Sequence, residues 1–267
     1  PLHRALAAGS TIVPCYCFDP RQFGETAFGF AKTGEFRAQF LLESVADLRR
    51  SLQRQGSDLV IRQGLPEAII PVLVQELEIT TVYYSLEVTA EEQQVERAIA
   101  TELKTLGVEF CGFWGTTLYH PNDLPFEVAD LPDLFTHFRK QVEKSATVRS
   151  TIPASPALPS LPTIVPGALP TLTDLGLSSP TRDRQVGMTF IGGETAGFAR
   201  LEHYFWQQDC LQTYKETRNG MLRTDDSSKL SPWLALGCLS PRLVYEQVQQ
   251  YERDRIKNDS TYWLVFE

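Results

Sequence analysis

The sequence lacks several features that would assign it to a common functional class. It has no run of about 18 apolar residues, so no segment has the length and hydrophobicity of a transmembrane helix. Its five cysteines form no C-x-x-C pair, which argues against a metal site and favours reduced thiols in the cytoplasm. Neither a G-x-G-x-x-G motif nor a Walker loop is present, so the usual dinucleotide and triphosphate sites have no support.

An excess of positive charge is also lacking. The formal net charge is −8, which argues against a protein that coats nucleic acid by bulk electrostatics. A local basic groove on an acidic body stays compatible with this value, because electrostatic steering depends on where the charges lie.

Both ends of the sequence read as cut. Residue 1 is Pro1 rather than methionine, residues 2–6 read as a helix already under way, and residues 263–267 stop in mid-pattern. The expected location is the cytoplasm, but a missing start would remove any targeting segment, so targeting to an organelle stays open.

Residues 1–145 alternate short β-rich runs with amphipathic helical stretches. The β-rich runs are residues 11–18, 59–61, 81–84 and 108–114. Thr33 is predicted to cap the first long helix, and Thr89 with Glu92 is predicted to form a capping box on a later one. Strands that alternate with helices predict right-handed crossovers and a parallel, Rossmann-like sheet, which binds ligands beyond the carboxyl ends of its strands.

The composition changes after residue 145, and a proline-rich segment over residues 146–191 separates the two predicted domains. Residues 151–180 contain seven prolines, which exclude regular structure and predict an extended linker. The segment is either a passive linker or, because leucine is frequent in it, one that packs across both domains. Residues 192–267 are predicted to be all-helical, with a continuous helix over 194–214 and capping serines at Ser231 and Ser240.

The segment 226–231 concentrates groups suited to an anion. Hydroxyls, backbone N–H groups and one cation lie just before the helix that Ser231 is predicted to cap. They belong to Asp226, Ser227, Ser228 and Lys229. Such a helix start suits a phosphate or pyrophosphate. From spacing alone, an ordinary capped turn explains the same residues.

The literal sequence of this region resembles the photolyase and cryptochrome family. These proteins carry a tyrosine, an arginine four residues later, and then a serine-rich block ending in Ser-Pro-Arg. The matching residues are Tyr214, Arg218, Ser227, Ser228, Lys229, Leu230, Ser231, Leu234, Gly237, Ser240, Pro241 and Arg242. The forms Lys-Glu-Thr-Arg-Asn-Gly (215 to 220) and Gly-Gly-Glu-Thr (192 to 195) resemble the DASH cryptochromes in particular. The resemblance implies an α/β photolyase domain, a linker and the start of a helical FAD-binding domain.

The resemblance also implies roles for individual residues. Tyr214 and the block Ser227, Ser228, Lys229, Leu230 and Ser231 would contact FAD, with the block holding its phosphates. Arg218 would meet a DNA phosphate; alternatively it is a surface arginine paired with an acid. Glu267 aligns with the glutamate that touches the damaged pyrimidine pair; alternatively it is a carboxylate on a helix surface.

The first domain of such proteins can hold an antenna chromophore, in the DASH group usually methenyltetrahydrofolate. Glu87 follows a predicted strand and could accept hydrogen bonds from the pterin. It could equally be the plain N-terminal flank of the helix that begins after Thr89.

The function implied by the resemblance is light-driven repair of cyclobutane pyrimidine dimers, by a carbon–carbon lyase of the deoxyribodipyrimidine photo-lyase type. The implied partner is single-stranded or looped DNA, because an unpaired base costs less to extrude. The implied protein is a monomer. The alternative is a blue-light photoreceptor or DNA-binding transcriptional regulator with the same flavin and little repair.

Overall fold

The computed structural model describes residues 1–9, 11–181, 187–220, 222–255 and 262–266. The chain divides into two compact units. The first unit comprises Pro1–Trp114, Pro153–Asp183 and Ile191–Gly193, and the second comprises Gly115–Ile152, Arg184–Phe190 and Glu194–Glu267. This grouping differs from the predicted boundaries after residues 145 and 191, since 115–152 belong with the helical residues and most of the proline-rich segment belongs with the α/β residues. As a division into domains, those boundaries stay a prediction.

The first unit alternates helices and parallel strands. Its elements are α1 (Leu2–Ala8), β1 (Cys15–Phe18), α2 (Glu35–Arg54), β2 (Val60–Gln63), α3 (Pro66–Glu76), β3 (Thr81–Ser85), α4 (Ala90–Thr105) and β4 (Glu109–Phe113). β1 pairs in parallel with β2, and β3 pairs in parallel with β4. A parallel pair needs a crossover, and α2 and α4 supply it in the two cases. The predicted α/β architecture is confirmed for these residues.

Two apolar clusters form the core of the first unit. One joins β1 and β2 to the inner face of α2, and its buried members are Phe18, Leu42, Val45, Leu52, Leu59, Ile61 and Leu158. The other joins α3 and α4 through Val74, Ile99 and Leu103. The buried residues of α2 recur at helical spacing, which is the periodicity that the sequence predicts.

The proline-rich segment packs against the first unit. Leu158 is a buried member of the cluster around β1 and β2, and Leu169, Leu172 and Leu175 pack on that cluster. The backbone N–H of Ile61 donates to the Pro166 carbonyl at 2.6 Å. Gly167 is required beside this bond, because its φ is +85° and a Cβ there would lie 2.3 Å from the Ile61 carbonyl oxygen. Residues 153–181 are therefore packed on this unit and are not a passive linker.

The second unit is helical. Its elements are α5 (Phe135–Ser145), α6 (Glu194–Glu202), a π-helical turn (His203–Gln207), a 3-10 turn (Cys210–Thr213), α7 (Tyr214–Thr217), α8 (Ser231–Ala235), α9 (Pro241–Asp254) and a second π-helical turn (Tyr262–Phe266). The predicted continuous helix over 194–214 is wrong. Asp209 has a φ of +56°, a left-handed conformation through which no α-helix continues.

The predicted helix caps are only partly correct. The cap residue of α2 is Gly34 rather than Thr33, and Thr89 lies at the cap of α4 without donating or accepting a side-chain capping bond. Ser231 is the first residue of α8, whose cap position is occupied by Leu230. None of these three helix starts has a capping hydrogen bond from the side chain of its cap residue. Across the residues described, no helix has the combination of length and apolar composition needed to cross a membrane.

Candidate anion site around residues 214–231

Tyr214 and Arg218 lie one helical turn apart in the second unit. Tyr214 begins α7, and the backbone N–H of Arg218 donates to its carbonyl at 2.9 Å. Burial raises the pKa of the half-buried Tyr214 hydroxyl. The Arg218 guanidinium lies over the Trp263 ring at 5.0 Å, and the Lys215 ammonium lies 4.6 Å from the same ring. Two cations thus share one aromatic surface next to Tyr214.

Arg200 organises the loop that contains the predicted phosphate-binding block. Its Nε donates to the Ser228 carbonyl at 2.9 Å, and its Nη2 donates to the carbonyls of Thr224 and Ser227 at 3.0 Å each. Its Nη1 donates to Asp225 Oδ1 at 2.7 Å. The residue is only 7% exposed, so these four bonds form away from bulk water. A buried guanidinium with four acceptors fixes the course of the loop.

Asp225 connects this arginine to a histidine. Its second oxygen lies 3.4 Å from His203 Nε2. Burial alone would raise the pKa of the Asp225 carboxyl, but the hydrogen bonds from Arg200 and His203 outweigh burial and hold that pKa below its usual range. Asp225 is therefore a carboxylate at neutral pH, and it balances the charge of Arg200.

A second carboxylate, that of Asp226, binds the part of the chain just before the loop. Asp226 is 5% exposed and accepts from the Arg223 backbone N–H at 3.1 Å and from Arg223 Nε at 2.8 Å. A Cβ on Gly220 would lie 2.3 Å from Asp226 Oδ2. Gly220 thus leaves room for this carboxylate, which explains in physical terms the glycine in the Lys-Glu-Thr-Arg-Asn-Gly stretch.

The backbone donors of the predicted phosphate-binding block are available to a ligand. Within the described part of the chain, the N–H groups of residues 227–231 have no hydrogen-bond acceptor. Lys229 has a φ of +54°, and the following Leu230 has a right-handed conformation. Successive left- and right-handed residues turn neighbouring N–H groups toward one concave surface that suits an anion. Ser227, Ser228 and Lys229 are half-buried. Leu230 is buried, and its carbonyl accepts from the Trp233 backbone N–H at 3.1 Å, which anchors the loop.

The predicted source of the attraction for the anion, the dipole of a helix capped by Ser231, is wrong. The sequence predicts that Ser231 caps a helix whose dipole attracts the anion, but α8 has only five residues and Ser231 lies inside it. A helix this short has a weak dipole. The donors come instead from the loop before α8, whose conformation depends on Arg200.

Sequence reasoning missed Arg200 and Asp225. The sequence does contain a pattern that could have identified Arg200. Helical spacing places it on one helix face with Gly197, Leu201 and Tyr204, and the structure buries that face. A charged residue within such an apolar stripe requires buried partners. The partners lie about 25 residues further along, and that distance is why no local pattern identifies them.

Tyr204 adds an unpaired polar group to the same neighbourhood. Its side chain is fully buried, and its hydroxyl has no hydrogen-bond partner within the described residues. The Arg200 guanidinium lies 5.0 Å from the centre of its ring. Burial raises the pKa of this hydroxyl, so Tyr204 is neutral and able to donate a hydrogen bond.

Glu87, the predicted antenna contact, belongs to the first unit. It lies two residues after β3, is exposed, and its backbone N–H donates to Glu96 Oε1 at 2.9 Å. Burial, together with the charges of Glu92 and Glu96, raises the pKa of its carboxyl. A cleft of about 210 Å³ lies at the carboxyl ends of β1 and β2, lined by residues that include Phe18, Phe23 and Gln63. Glu87 does not line this cleft. Glu267, the other predicted carboxylate, lies outside the described residues.

Comparison with known proteins assigns the fold and then the family. The chain superimposes on the crystal structure of a cryptochrome from Synechocystis sp. PCC6803 with a TM-score of 0.95 and 50% identity, covering all of this chain and 55% of that one. The class of protein is therefore an α/β photolyase-type domain followed by helical residues. The family described as DNA photolyase matches residues 1–160. The chain belongs to the DNA photolyase family, as its sequence predicts.

Curated relatives place the chain more narrowly. It is 60% identical over 267 residues to cryptochrome DASH of Gloeobacter violaceus, covering 100% of this chain and 53% of the relative. It is 47% identical over 270 residues to a protein of Arabidopsis thaliana named cryptochrome DASH, chloroplastic/mitochondrial, covering 100% of this chain and 47% of the relative. The chain thus spans about half the length of the curated relatives it matches, and the predicted resemblance to the DASH group is confirmed.

Proposed function

We propose that the second unit binds FAD and that the loop at residues 227–231 holds its phosphates. The observation that carries this proposal is the run of backbone N–H groups that have no acceptor within the described residues. Unpaired donors on a fixed loop fit an anionic phosphate and do not fit an apolar ligand. The loop surroundings therefore fit this part of the cofactor.

Each predicted contact has a distinct task in this proposal. The N–H groups and hydroxyls of Ser227, Ser228 and Ser231 donate to phosphate oxygens, and the Lys229 ammonium compensates their charge. Leu230 anchors the loop in the core. Tyr214, half-buried and neutral, offers a hydroxyl and an aromatic surface beside the loop. FAD, when bound, supplies light-driven one-electron transfer, while the protein supplies binding and position.

We propose that the whole protein repairs cyclobutane pyrimidine dimers in single-stranded or looped DNA. Membership of the DNA photolyase family supports DNA as the partner. Arg218 is the proposed contact to a DNA phosphate; its guanidinium is half-buried against Trp263, which limits its freedom to move. Glu267 is proposed to contact the dimer. A net charge of −8 favours a local contact of this kind over a broad duplex-binding face.

A folate antenna at Glu87 is a further part of the proposal. Burial, and after it the nearby charges of Glu92 and Glu96, raise the pKa of its carboxyl, and hydrogen-bond donors of a pterin would stabilise the carboxylate. We also propose that the protein is a monomer and acts in the cytoplasm. The Arabidopsis relative is named for chloroplasts and mitochondria, and an organellar location is the alternative.

The test begins with the chain purified in the dark and titrated with FAD. Binding is followed by quenching of flavin fluorescence, with Ser228→Ala as the loop variant and Ser155→Ala, which alters an equally half-buried serine in the first unit, as the matched control. We expect binding that Ser228→Ala weakens and Ser155→Ala leaves unchanged. If FAD does not bind, the phosphate-site proposal is wrong. If Ser228→Ala binds FAD as well as the unaltered chain does, the role given to the Ser228 hydroxyl is wrong.

The repair proposal is tested with single-stranded DNA that contains a pyrimidine dimer, under blue light and in the dark. The Gloeobacter relative is measured in parallel because the chain spans only part of it. We expect dimer loss that requires light and fades in Glu267→Ala without loss of flavin. Bound flavin without repair in both proteins would contradict the lyase and favour the photoreceptor.

A further inference from the structure

We propose that Arg200 is a positioning residue for phosphate recognition, acting through the backbone of the 224–228 loop without touching the phosphate itself. This inference rests on the proposed function, in which the N–H groups of residues 227–231 hold the phosphates. It assigns a role to a residue that belongs to none of the sequence motifs of the site.

The argument starts from the carbonyl groups. Arg200 binds the carbonyl oxygens of Thr224, Ser227 and Ser228 at 2.9 to 3.0 Å. A trans peptide holds its C=O and N–H on opposite sides. The N–H groups of Ser228 and Lys229, which share peptides with two of these carbonyls, therefore point away from the guanidinium. These same N–H groups have no acceptor within the described residues.

The geometry requires an arginine. The three carbonyls and the Asp225 carboxylate are bound by three different nitrogens of one planar guanidinium. A lysine ammonium is a compact point charge that cannot span acceptors arranged around a fork. The Tyr204 ring, 5.0 Å from the guanidinium carbon, restricts the position of its plane. A simple structural ion pair would need only Asp225.

The charge of Arg200 is already balanced, and this predicts how its effect can be recognised. Asp225 pairs with it at 2.7 Å, and the guanidinium is buried. Arg200 therefore contributes to phosphate affinity by geometry, which added salt does not screen. Lys229 contributes by charge, which added salt does screen.

The experiment measures binding of inorganic pyrophosphate to the whole chain by calorimetry over a range of salt concentrations. The variants are Arg200→Lys, Lys229→Met and, as a matched control, Arg62→Lys, which alters an arginine bound to backbone carbonyls in the first unit. We expect Arg200→Lys to weaken binding by about tenfold or more with an unchanged salt dependence. Lys229→Met should flatten the salt dependence, and Arg62→Lys should change neither quantity.

A second measurement needs no variant and stays decisive if Arg200→Lys does not fold. Amide signals of the unaltered chain are followed by NMR during pyrophosphate titration. We expect the signals of Ser228 and Lys229 to shift more than that of Asp226, whose N–H donates to the Arg223 carbonyl at 3.5 Å. Large shifts elsewhere with none at Ser228 and Lys229 would overturn the inference.

The outcomes separate this inference from the proposed function. If the unaltered chain binds neither pyrophosphate nor FAD, the phosphate site itself is wrong. If the chain binds pyrophosphate and folded Arg200→Lys binds it equally well, only the role of Arg200 is wrong. A loss in Arg200→Lys that salt screens as strongly as the loss in Lys229→Met would also overturn it, because Arg200 would then act by charge.

Discussion

Two irregular segments of this chain are held by arginines in the same way, with different results. In the first unit, Arg62 donates to the carbonyls of Val165 and Pro166 in the proline-rich segment, and Arg49 donates to that of Gly167. In the second unit, Arg200 donates to three carbonyls of the 224–228 loop. In both cases a guanidinium replaces the hydrogen bonds that a helix or sheet would supply.

The difference lies in the amide groups that remain. Pro166 has no N–H, and its carbonyl also accepts from Ile61, so the docked linker offers few donors to a ligand. The 227–231 loop contains no proline, and each of its residues retains an N–H that has no acceptor among the residues that the structure describes. Hydrogen bonds from arginine to backbone carbonyls therefore stabilise the fold in the proline-rich segment. In the 227–231 loop they leave N–H groups that could bind a ligand.

The largest expected effect comes from removing Arg200, and Arg62 is the arginine to compare with it. Arg200→Met should lower the free energy of unfolding of the second unit by about 3–5 kcal/mol, because three carbonyls of the loop and the partly buried Asp225 carboxylate lose the guanidinium that binds them all. Arg62→Met should cost the first unit only about 1–2 kcal/mol, since its guanidinium is half-buried and water can replace it. Amide hydrogen exchange, read separately for each unit, measures both values; equal losses would contradict the comparison.

Gly167→Ala should disrupt the linker itself. The new Cβ would lie 2.3 Å from the Ile61 carbonyl on a residue with φ +85°, so the backbone must move, at a cost of about 3 kcal/mol. Gly176→Ala is the matched control. It has a φ of +75° but open space around a Cβ, and should cost about 1 kcal/mol. Thermal unfolding and protease sensitivity of the 153–181 segment report the difference, and similar values for both variants would argue against a tight contact.

Asp225 provides a pH test of the loop. Its pKa is lowered in the folded state, so its contribution to stability is present above the ordinary value of 3.8 and is lost as the pH falls through the folded pKa. Below pH 4 the second unit should lose up to about 1.4 kcal/mol per pH unit through this group. Asp225→Asn should flatten this dependence, whereas Asp254→Asn, which alters an exposed carboxylate at the end of α9, should preserve it. The measurement is acid unfolding of each variant, followed by tryptophan fluorescence. The same pH dependence in both variants would contradict the role of Asp225.

The smallest effect concerns the ammonium of Lys229. Lys229→Met should weaken pyrophosphate binding at low salt by about threefold to tenfold, with little change in stability, because the half-buried side chain contributes mainly charge. Lys140→Met, which alters an exposed lysine on α5 of the same unit, is the control and should leave affinity unchanged. Equal weakening by both substitutions would show that only net charge matters.

Much of this protein was determined by the sequence alone, because the signals concerned are local. Strands alternating with amphipathic helices predicted the α/β unit, and Pro241 after Ser240 predicted the start of α9. The literal match over 214–242 predicted the family. The order of residues in the chain carries these signals, so they can be read without a structure.

Only the tertiary structure decided how the candidate site is built. The predicted 194–214 helix breaks at Asp209, whose carboxylate accepts from the Tyr251 hydroxyl far along the chain. The partnership of Arg200 with residues 224–228 joins parts of the chain about 25 residues apart. Hydrogen bonds between such distant groups leave no periodic pattern, because the intervening chain can take any course that lets the ends meet.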